Sequence, residues 1–179
     1  SKRLSKGIEF LMNKNQIEHI KGTGVFKSDK EIEVINGNHK ELVKADKIII
    51  ATGARSQVLA GMEPDGKRII TSKEAMNLKE IPKRMLVIGA GAIGVEFAYF
   101  YNQYGSEIHL IEMMDNILPI EDIDISKEVE KSFIKSGIKI HKKTRVTQIK
   151  KLKTKLKVHL EASGQESIVE TDIVLSAVG

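Results

Sequence analysis

The sequence predicts an α/β fold built on a parallel sheet, with an antiparallel β-meander after it. Between residues 85 and 141 apolar strands alternate with amphipathic helices, an order typical of a parallel sheet with crossover helices. After residue 144 the helical pattern stops, and short strands separated by turns follow.

Glycines mark the ends of the helices in the parallel unit. Gly105 and Gly137 follow the two predicted helices, and glycine tolerates the left-handed conformation that commonly ends a helix. The predicted helices are 92–104 and 125–136, between strands at 85–88, 107–111 and 138–141. Meander strands are predicted at 145–151, 155–161 and 167–170, before a buried strand at 172–178.

The first part of the chain has a weaker pattern. The predicted elements are a helix end at 8–14 and strands at 16–20, 25–27, 31–35 and 41–44. Residues 46–51 include three consecutive isoleucines, which are typical of a strand buried on both faces. The segments 46–53 and 172–179 run alike from Asp through an apolar stretch to Ala-x-Gly. Residues 54–84 are predicted to be a connection with one short helix near 72–76.

The composition excludes several kinds of site. The chain has 179 residues and no cysteine, which excludes a disulfide, a cysteine-ligated zinc site and a cysteine nucleophile within it. Aromatic residues are 4% and the net charge of +5 is spread along the chain, so we expect no nucleic-acid partner. None of the five histidines stands at metal-ligand spacing from another, and we predict neither a metal site nor a catalytic residue.

A membrane partner is not expected either. No apolar run approaches the roughly 20 residues that cross a bilayer, and residues 1–7 lack the apolar core of a secretory signal. We therefore expect a cytoplasmic protein.

The glycine-rich turn after the strand at 85–88 carries the most chemical information. Gly89, Gly91 and Gly94 have the G-x-G-x-x-G spacing, between a strand and a helix, that binds a dinucleotide. Gly89 would allow the tight turn, Gly91 would let a pyrophosphate approach the backbone, and Gly94 would let the helix pack closely. The helix N-terminus would then meet the phosphate charge. The sequence therefore predicts a Rossmann-like NAD-binding domain.

Two acidic residues accompany this turn. Glu112 ends the second predicted strand, 18 residues after Gly94, where the fingerprint has an acid that binds the adenosine ribose hydroxyls. A carboxylate there repels a 2′-phosphate and favours NAD over NADP, and no Arg or Lys follows before Pro119. Glu96 is expected on the first helical turn, where the helix dipole favours a carboxylate; direct contact with a cofactor is the open alternative.

The chain resembles the two-dinucleotide (pyridine nucleotide-disulfide) oxidoreductases. The segments 48–55, 87–96 and 174–179 carry this resemblance in the family's order. The segments 7–12, 20–24 and 116–122 are most similar to the dihydrolipoamide dehydrogenase branch.

The resemblance implies a flavoprotein in which NAD and FAD meet at the flavin ring. Residues 1–60 would be a partial FAD-binding domain and residues 61–179 the NAD-binding domain. The residues implied to bind NAD are Gly89, Ala90, Gly91, Ala92, Ile93, Gly94, Val95, Glu96 near the nicotinamide, Glu112, Val146 beside the adenine, and Gly179. Those implied to line FAD are Gly24, Thr52, Gly53 and Ala54.

Three parts of the family's pattern are missing: a first glycine fingerprint for FAD, a pair of redox cysteines, and a C-terminal dimerisation domain with a histidine base. The resemblance therefore implies an internal piece of a longer, homodimeric enzyme. That enzyme would oxidise dihydrolipoamide carried by a 2-oxoacid dehydrogenase complex or a glycine cleavage system, and would reduce NAD through a redox disulfide and FAD. The piece alone would bind NAD weakly, lose FAD and turn over no dihydrolipoamide.

Two other interpretations stay open. A non-catalytic NAD-responsive binding module would also have neither the cysteines nor the histidine base. A sibling disulfide or flavin reductase that uses NADH would share the scaffold and differ in its electron acceptor. The gene sequence upstream of Ser1 discriminates, since a glycine fingerprint and a cysteine pair there would support the enzyme.

Overall fold

The computed structural model describes residues 2–178. Contacts along the chain divide it into two compact units, Ser1–Gly53 and Ala54–Gly179. They are called unit 1 and unit 2 below, and each is described by itself. Within the described residues, no helix is both long enough and apolar enough to cross a bilayer.

Unit 1 contains a helix and a small antiparallel sheet. The helix is α1 (Lys2–Lys14), and the strands are β1 (Thr23–Phe26), β2 (Glu31–Asn36) and β3 (His39–Lys44), in the order β1-β2-β3. The β2–β3 hairpin turns at Gly37, whose φ of +59° suits a residue without a Cβ.

The predictions of two strands in unit 1 are wrong. Residues 16–20 and 46–51 have no strand structure, and Ile49 and Ile50 are 90% and 69% exposed. An apolar run forms a buried strand only where neighbouring strands accept its backbone hydrogen bonds. In the described residues of unit 1, the three strands pair only with one another.

Unit 2 is built on a five-stranded parallel sheet in the order β4-β11-β5-β6-β7. Its strands are β4 (Ile69–Thr71), β5 (Arg84–Ile88), β6 (Glu107–Ile111), β7 (Lys139–His141) and β11 (Ile173–Ser176). The strand β4 was not predicted from the sequence, because it has only three residues, although Ile69 and Ile70 are buried.

The two faces of this sheet are covered differently. The helices α2 (Ser72–Ala75), α3 (Ala92–Gln103) and α4 (Ile123–Lys135) belong to a core with one face of the sheet. The antiparallel strands β8 (Thr144–Lys151), β9 (Leu156–Ala162) and β10 (Gln165–Thr171) form a meander on the other face. The predicted fold class, a parallel sheet followed by an antiparallel meander, is confirmed.

A pair of histidines connects β6 and β7, with His109 in the middle of β6 and His141 at the last residue of β7. Nδ1 of His109 lies 3.0 Å from Nε2 of His141, with the two rings nearly parallel. Burial and the nearby charge of Lys139 lower the pKa of His109, and the Glu107 carboxylate opposes this shift. Burial, with the charges of His109 and Lys139, also lowers the pKa of His141.

We predict that unit 2 loses stability as the pH falls below about 6.5, the ordinary pKa of histidine. Because both folded-state pKa values are depressed, the unfolded chain binds protons in that window that the folded protein does not, so acid favours unfolding. Urea unfolding between about pH 7 and 5 measures this dependence. The double variant His109→Leu/His141→Leu should flatten it, whereas His39→Leu, at an exposed histidine of β3, should not. An unchanged slope in the double variant would contradict the prediction.

Candidate functional site: a nucleotide cleft at the glycine-rich turn

The turn between β5 and α3 requires glycine at its first position. Gly89 has a φ of +95°, and a Cβ there would lie 2.9 Å from the carbonyl oxygen of Ala177. Its N–H donates to the carbonyl of Ile111 at 2.8 Å. The turn is therefore held between the ends of two neighbouring strands, where only a residue without a side chain fits.

Helix α3 packs directly onto this turn through Gly94. A Cβ at Gly94 would lie 1.9 Å from the carbonyl oxygen of Gly89. The helix therefore lies closer to the backbone of the turn than it could with any residue other than glycine at position 94.

Gly91, in contrast, faces open space. It precedes the first residue of α3 in an extended conformation, and a Cβ there would meet nothing within 4 Å. The first backbone bond of the helix runs from the Val95 N–H to the Gly91 carbonyl at 3.0 Å. The N–H groups of Ala92 and Ile93 come before that bond and have no partner inside the helix, which is the arrangement that binds phosphate at helix N-termini.

Glu112 holds two turns together. The carboxylate is buried, with 7% of the residue exposed. Its Oε2 accepts from the Ala90 N–H and its Oε1 from the Met114 N–H, both at 2.8 Å. These bonds connect the turn after β5 to the turn after β6, a role that the sequence analysis did not predict. Because a carboxylate oxygen has two lone pairs, each retains capacity for a further donor.

A cleft of about 690 Å³ opens beside these groups. Gly89, Gly91, Glu112 and Val146 all line it, so the structure brings these predicted residues together. Its volume lies in the range of small-molecule and cofactor sites. The lining that the sequence analysis missed consists of Gln57, Leu59, Ala60, Met62, Ile88, Ile111, Met113, Pro119, Ile120, Thr144, Ala177 and Val178.

Other residues implied to bind NAD lie around the turn rather than in the cleft lining. Ala90 is buried, and its carbonyl accepts from the Leu118 N–H at 2.7 Å. Val95 is also buried, while Ala92 and Ile93 are exposed. Gly179 lies outside the described residues.

The expectation that Glu96 lies on the first turn of the helix is wrong. Helix α3 begins at Ala92, which makes Glu96 its fifth residue, and the first turn has no acidic residue. Glu96 is exposed and lines a shallow apolar depression with Met76, Phe97 and Phe100. The helix dipole therefore does not favour this carboxylate, because its effect is confined to the terminal turn.

The residues implied to line FAD are distributed over both units. Gly24 pairs with Val34 in the sheet of unit 1, and Thr52 and Gly53 lie in exposed chain at the end of that unit. Ala54 begins unit 2. In the described part of the chain, no group of three or more metal-ligating side chains converges.

Comparison with known proteins identifies the family. The profile of the pyridine nucleotide-disulphide oxidoreductases matches residues 1–179, the whole chain. The chain belongs to this family. Members of the pyridine nucleotide-disulphide oxidoreductase family use FAD and NAD(H), in agreement with the cofactors that the sequence resemblance implied.

Relatives with curated names include dihydrolipoyl dehydrogenases. The protein of that name from Chlorobaculum parvum is 38% identical over 182 residues, which cover 100% of this chain and 39% of the relative. The one from Pisum sativum, named as mitochondrial, is 40% identical and covers 98% and 36%. A leghemoglobin reductase from Vigna unguiculata is also 40% identical, covering 98% and 34%. The chain thus spans between about a third and two fifths of the length of these relatives.

Solved structures of the family share the fold. LpdA from Mycobacterium tuberculosis superposes with a TM-score of 0.83 at 25% identity, covering 99% of this chain and 39% of that protein. The HOCl-induced flavoprotein disulfide reductase RclA from Escherichia coli gives a TM-score of 0.70 at 28% identity, covering 99% and 41%.

Gly94 and Gly91 should respond differently to substitution. We predict that Gly94→Ala lowers the free energy of unfolding by about 1–3 kcal/mol, since its methyl group overlaps the Gly89 carbonyl. Gly91→Ala should cost less than about 1 kcal/mol, because its methyl group enters open space. Chemical denaturation of both variants measures the difference, and equal losses would contradict the packing argument.

Proposed function

We propose that this chain is the NAD-binding portion of an FAD-dependent dihydrolipoamide dehydrogenase. The observation that carries the proposal is the bare backbone at Gly91, which faces the same cleft as the carboxylate of Glu112. A dinucleotide site has two parts, a helix N-terminus that binds the pyrophosphate and an acid that binds the ribose. Here the helix follows β5, and the acid follows the neighbouring parallel strand β6.

The pyrophosphate of NAD would lie over Gly91. The N–H groups at the start of α3 would donate to the phosphate oxygens, and the helix dipole would favour their charge. A side chain at position 91 would occupy this space. Val146 and Thr144, which line the cleft beyond Glu112, would contact the adenosine end.

Glu112 would bind the ribose hydroxyls. Its two backbone bonds orient the carboxylate before the ligand arrives, so little ordering cost remains at binding. The same negative charge, largely removed from water, would repel a 2′-phosphate. This supports a preference for NAD over NADP.

The activity and partners of the whole protein are part of the proposal. The names of the relatives support oxidation of dihydrolipoamide, which would be carried by a 2-oxoacid dehydrogenase complex or a glycine cleavage system, in a homodimeric parent. NAD would supply the hydride-accepting ring, while Gly24, Thr52, Gly53 and Ala54 would form part of the FAD wall. A cytoplasmic location stays a prediction.

Calorimetry with the purified chain tests whether the cleft binds NAD. We predict saturable binding of one NAD, weaker by at least about tenfold in Gly91→Ala because its methyl group displaces the pyrophosphate. No binding by the unsubstituted chain would overturn the proposal.

Glu112→Arg tests the selectivity. We predict that it shifts the preference from NAD towards NADP by about 1–3 kcal/mol, since a charged hydrogen bond is lost and the repulsion removed. Glu128→Arg, the same charge change at an exposed position of α4, is the control and should leave the preference unchanged. Melting temperatures accompany both variants, because the Glu112→Arg variant loses the bonds to the turn backbone. Unchanged selectivity in a folded Glu112→Arg variant would remove Glu112 from the site.

A second candidate is a sibling reductase with another electron acceptor, which is favoured by the leghemoglobin reductase among the relatives.

We predict that the 179-residue chain forms no NADH from dihydrolipoamide, because it has no cysteine to accept the electrons. Absorbance at the NADH band measures this. For the longer parent, dihydrolipoamide assayed beside alternative disulfide acceptors separates the two candidates.

A further inference from the structure

One wall of the cleft belongs to the connection that precedes β4. Residues 57–62, called the wall segment below, contribute to the lining through Gln57, Leu59, Ala60 and Met62. They form neither a strand nor a helix. Within the segment, Met62 N–H donates to the Leu59 carbonyl at 3.0 Å, and both side chains pack on the core between the sheet and the meander. The position of the wall segment therefore depends on this packing and on the contacts that hold the chain after it.

The connection is anchored after the wall segment by Asp65. Its Oδ1 accepts from the N–H groups of Lys67, Arg68 and Ile69 at 2.9, 2.8 and 2.9 Å. Its Oδ2 lies 2.7 Å from Nζ of Lys151, the last residue of β8. One carboxylate thus connects the chain between the wall segment and β4 to the meander.

Two further observations show how firmly this contact is made. Nη1 of Arg68 donates to the carbonyls of Leu152 and Lys155, between β8 and β9, at 2.8 and 3.2 Å. Burial alone would raise the pKa of Asp65, but the hydrogen bonds from Lys151 and from the three backbone N–H groups outweigh it and lower the pKa below its ordinary value. The carboxylate is therefore ionised at neutral pH, and its hydrogen bonds are charge-assisted.

Asp65 itself lies away from the cleft. Its N–H donates at 2.8 Å to the carbonyl of Ile69, the first residue of β4, which places Asp65 at the amino edge of the parallel sheet. The cleft opens at the carboxyl edge, where Gly89 follows β5 and Glu112 follows β6. The described lining of the cleft does not include Asp65. An effect of Asp65 on a bound nucleotide must therefore act through the wall segment.

The connectivity indicates which half of the nucleotide the wall segment would contact. In the strand order β4-β11-β5-β6-β7 the segment leads into β4, whereas Glu112 follows β6. Val178, which follows β11, lines the cleft and packs on the same core as the wall segment. With the ribose at Glu112 and the pyrophosphate at Gly91, the nicotinamide half would extend towards Val178 and the wall segment.

We propose that Asp65 is a positioning residue for the nicotinamide half of NAD, a proposal that rests on the cleft binding that nucleotide. By holding the connection on the meander, Asp65 keeps the wall segment ordered against the core before the ligand arrives. A segment that is already ordered adds no ordering cost at binding. Without the contacts of Asp65 the wall segment would open locally, and the ligand would have to order it.

Calorimetry on the 179-residue chain with NAD and with 5′-AMP tests this proposal, because 5′-AMP lacks the nicotinamide half. In Asp65→Ala the dissociation constant of NAD should rise by about threefold to tenfold, while that of 5′-AMP stays unchanged. Asp65→Asn retains an oxygen that can accept from the backbone N–H groups. Its dissociation constant for NAD should therefore lie between those of Asp65→Ala and the unsubstituted chain.

Asp172→Ala is the matched control. The Asp172 carboxylate also accepts a backbone N–H, from Arg84 at 3.0 Å, and it pairs with the guanidinium of the same residue at 2.9 Å. Its side chain is 30% exposed, against 27% for Asp65. It lies at the same edge of the sheet, immediately before β11. The control should lose stability but keep the ratio of the two dissociation constants.

Hydrogen exchange gives a second readout that a general loss of stability would not produce. The N–H of Gly61 donates to Oε1 of Glu63 at 2.9 Å, and that of Met62 donates within the wall segment. In Asp65→Ala both amides should exchange faster by at least about tenfold relative to the amides of β5 and β6. In Asp172→Ala they should not.

The outcomes separate the two proposals. No binding of NAD by the unsubstituted chain overturns the proposed function and this inference with it. Binding of NAD with an unchanged ratio in Asp65→Ala overturns only the inference, and so does an equal change of the ratio in Asp172→Ala. If Asp65→Ala does not fold, Lys151→Ala, which removes only the contact with the meander, replaces it with the same expected direction.

Discussion

The close approach of α3 to the turn that precedes it is the constraint on which the rest of unit 2 depends. The absent Cβ of Gly94 would lie 1.9 Å from the Gly89 carbonyl oxygen, so any side chain there would displace the helix. A displaced helix would no longer direct its first N–H groups along the carboxyl edge of the sheet, where open α/β sheets bind their ligands. Local packing and the position of the cleft are thus set by the same contact.

Glu112 connects this packing to recognition of the ligand. Because its carboxylate already accepts from Ala90 and Met114, the residue that would bind a sugar also shapes the site. A buried amide left without an acceptor costs about 1–3 kcal/mol. Substitution of Glu112 would therefore lower stability and, under the proposed function, would also change the selectivity for the nucleotide.

The sequence predicted those parts of the fold in which the deciding interactions are local. The strands and helices between residues 84 and 141 have strong periodicity and glycine ends, and the structure contains them within a few residues of the predicted bounds. The spacing of Gly89, Gly91 and Gly94 likewise indicated the turn, in which Gly89 and Gly94 are required for steric reasons. A single stretch of sequence contains all of this information.

The incorrect and missed predictions concern interactions between segments that are distant in the sequence. The isoleucines of 46–51 had the composition of a buried strand, but burial depends on neighbours that no local pattern specifies. The strand β4 is too short for periodicity to detect. The part of the cleft lining that consists of Gln57, Leu59, Ala60 and Met62 depends on segments that meet only in the folded chain. The second role of Glu112 was missed for the same reason.

Nucleotide binding and electron transfer make different demands on this chain. The turn, the start of α3, Glu112 and the remaining cleft lining all belong to unit 2, so the groups assigned to the proposed nucleotide site lie in that unit. The residues implied to line FAD are divided between unit 1 and unit 2 in sequence. Oxidation of a dithiol through a redox disulfide requires two thiols, and the 179 residues have none. Under the proposed function, binding of NAD would be retained where turnover is absent, and the two properties have to be measured separately.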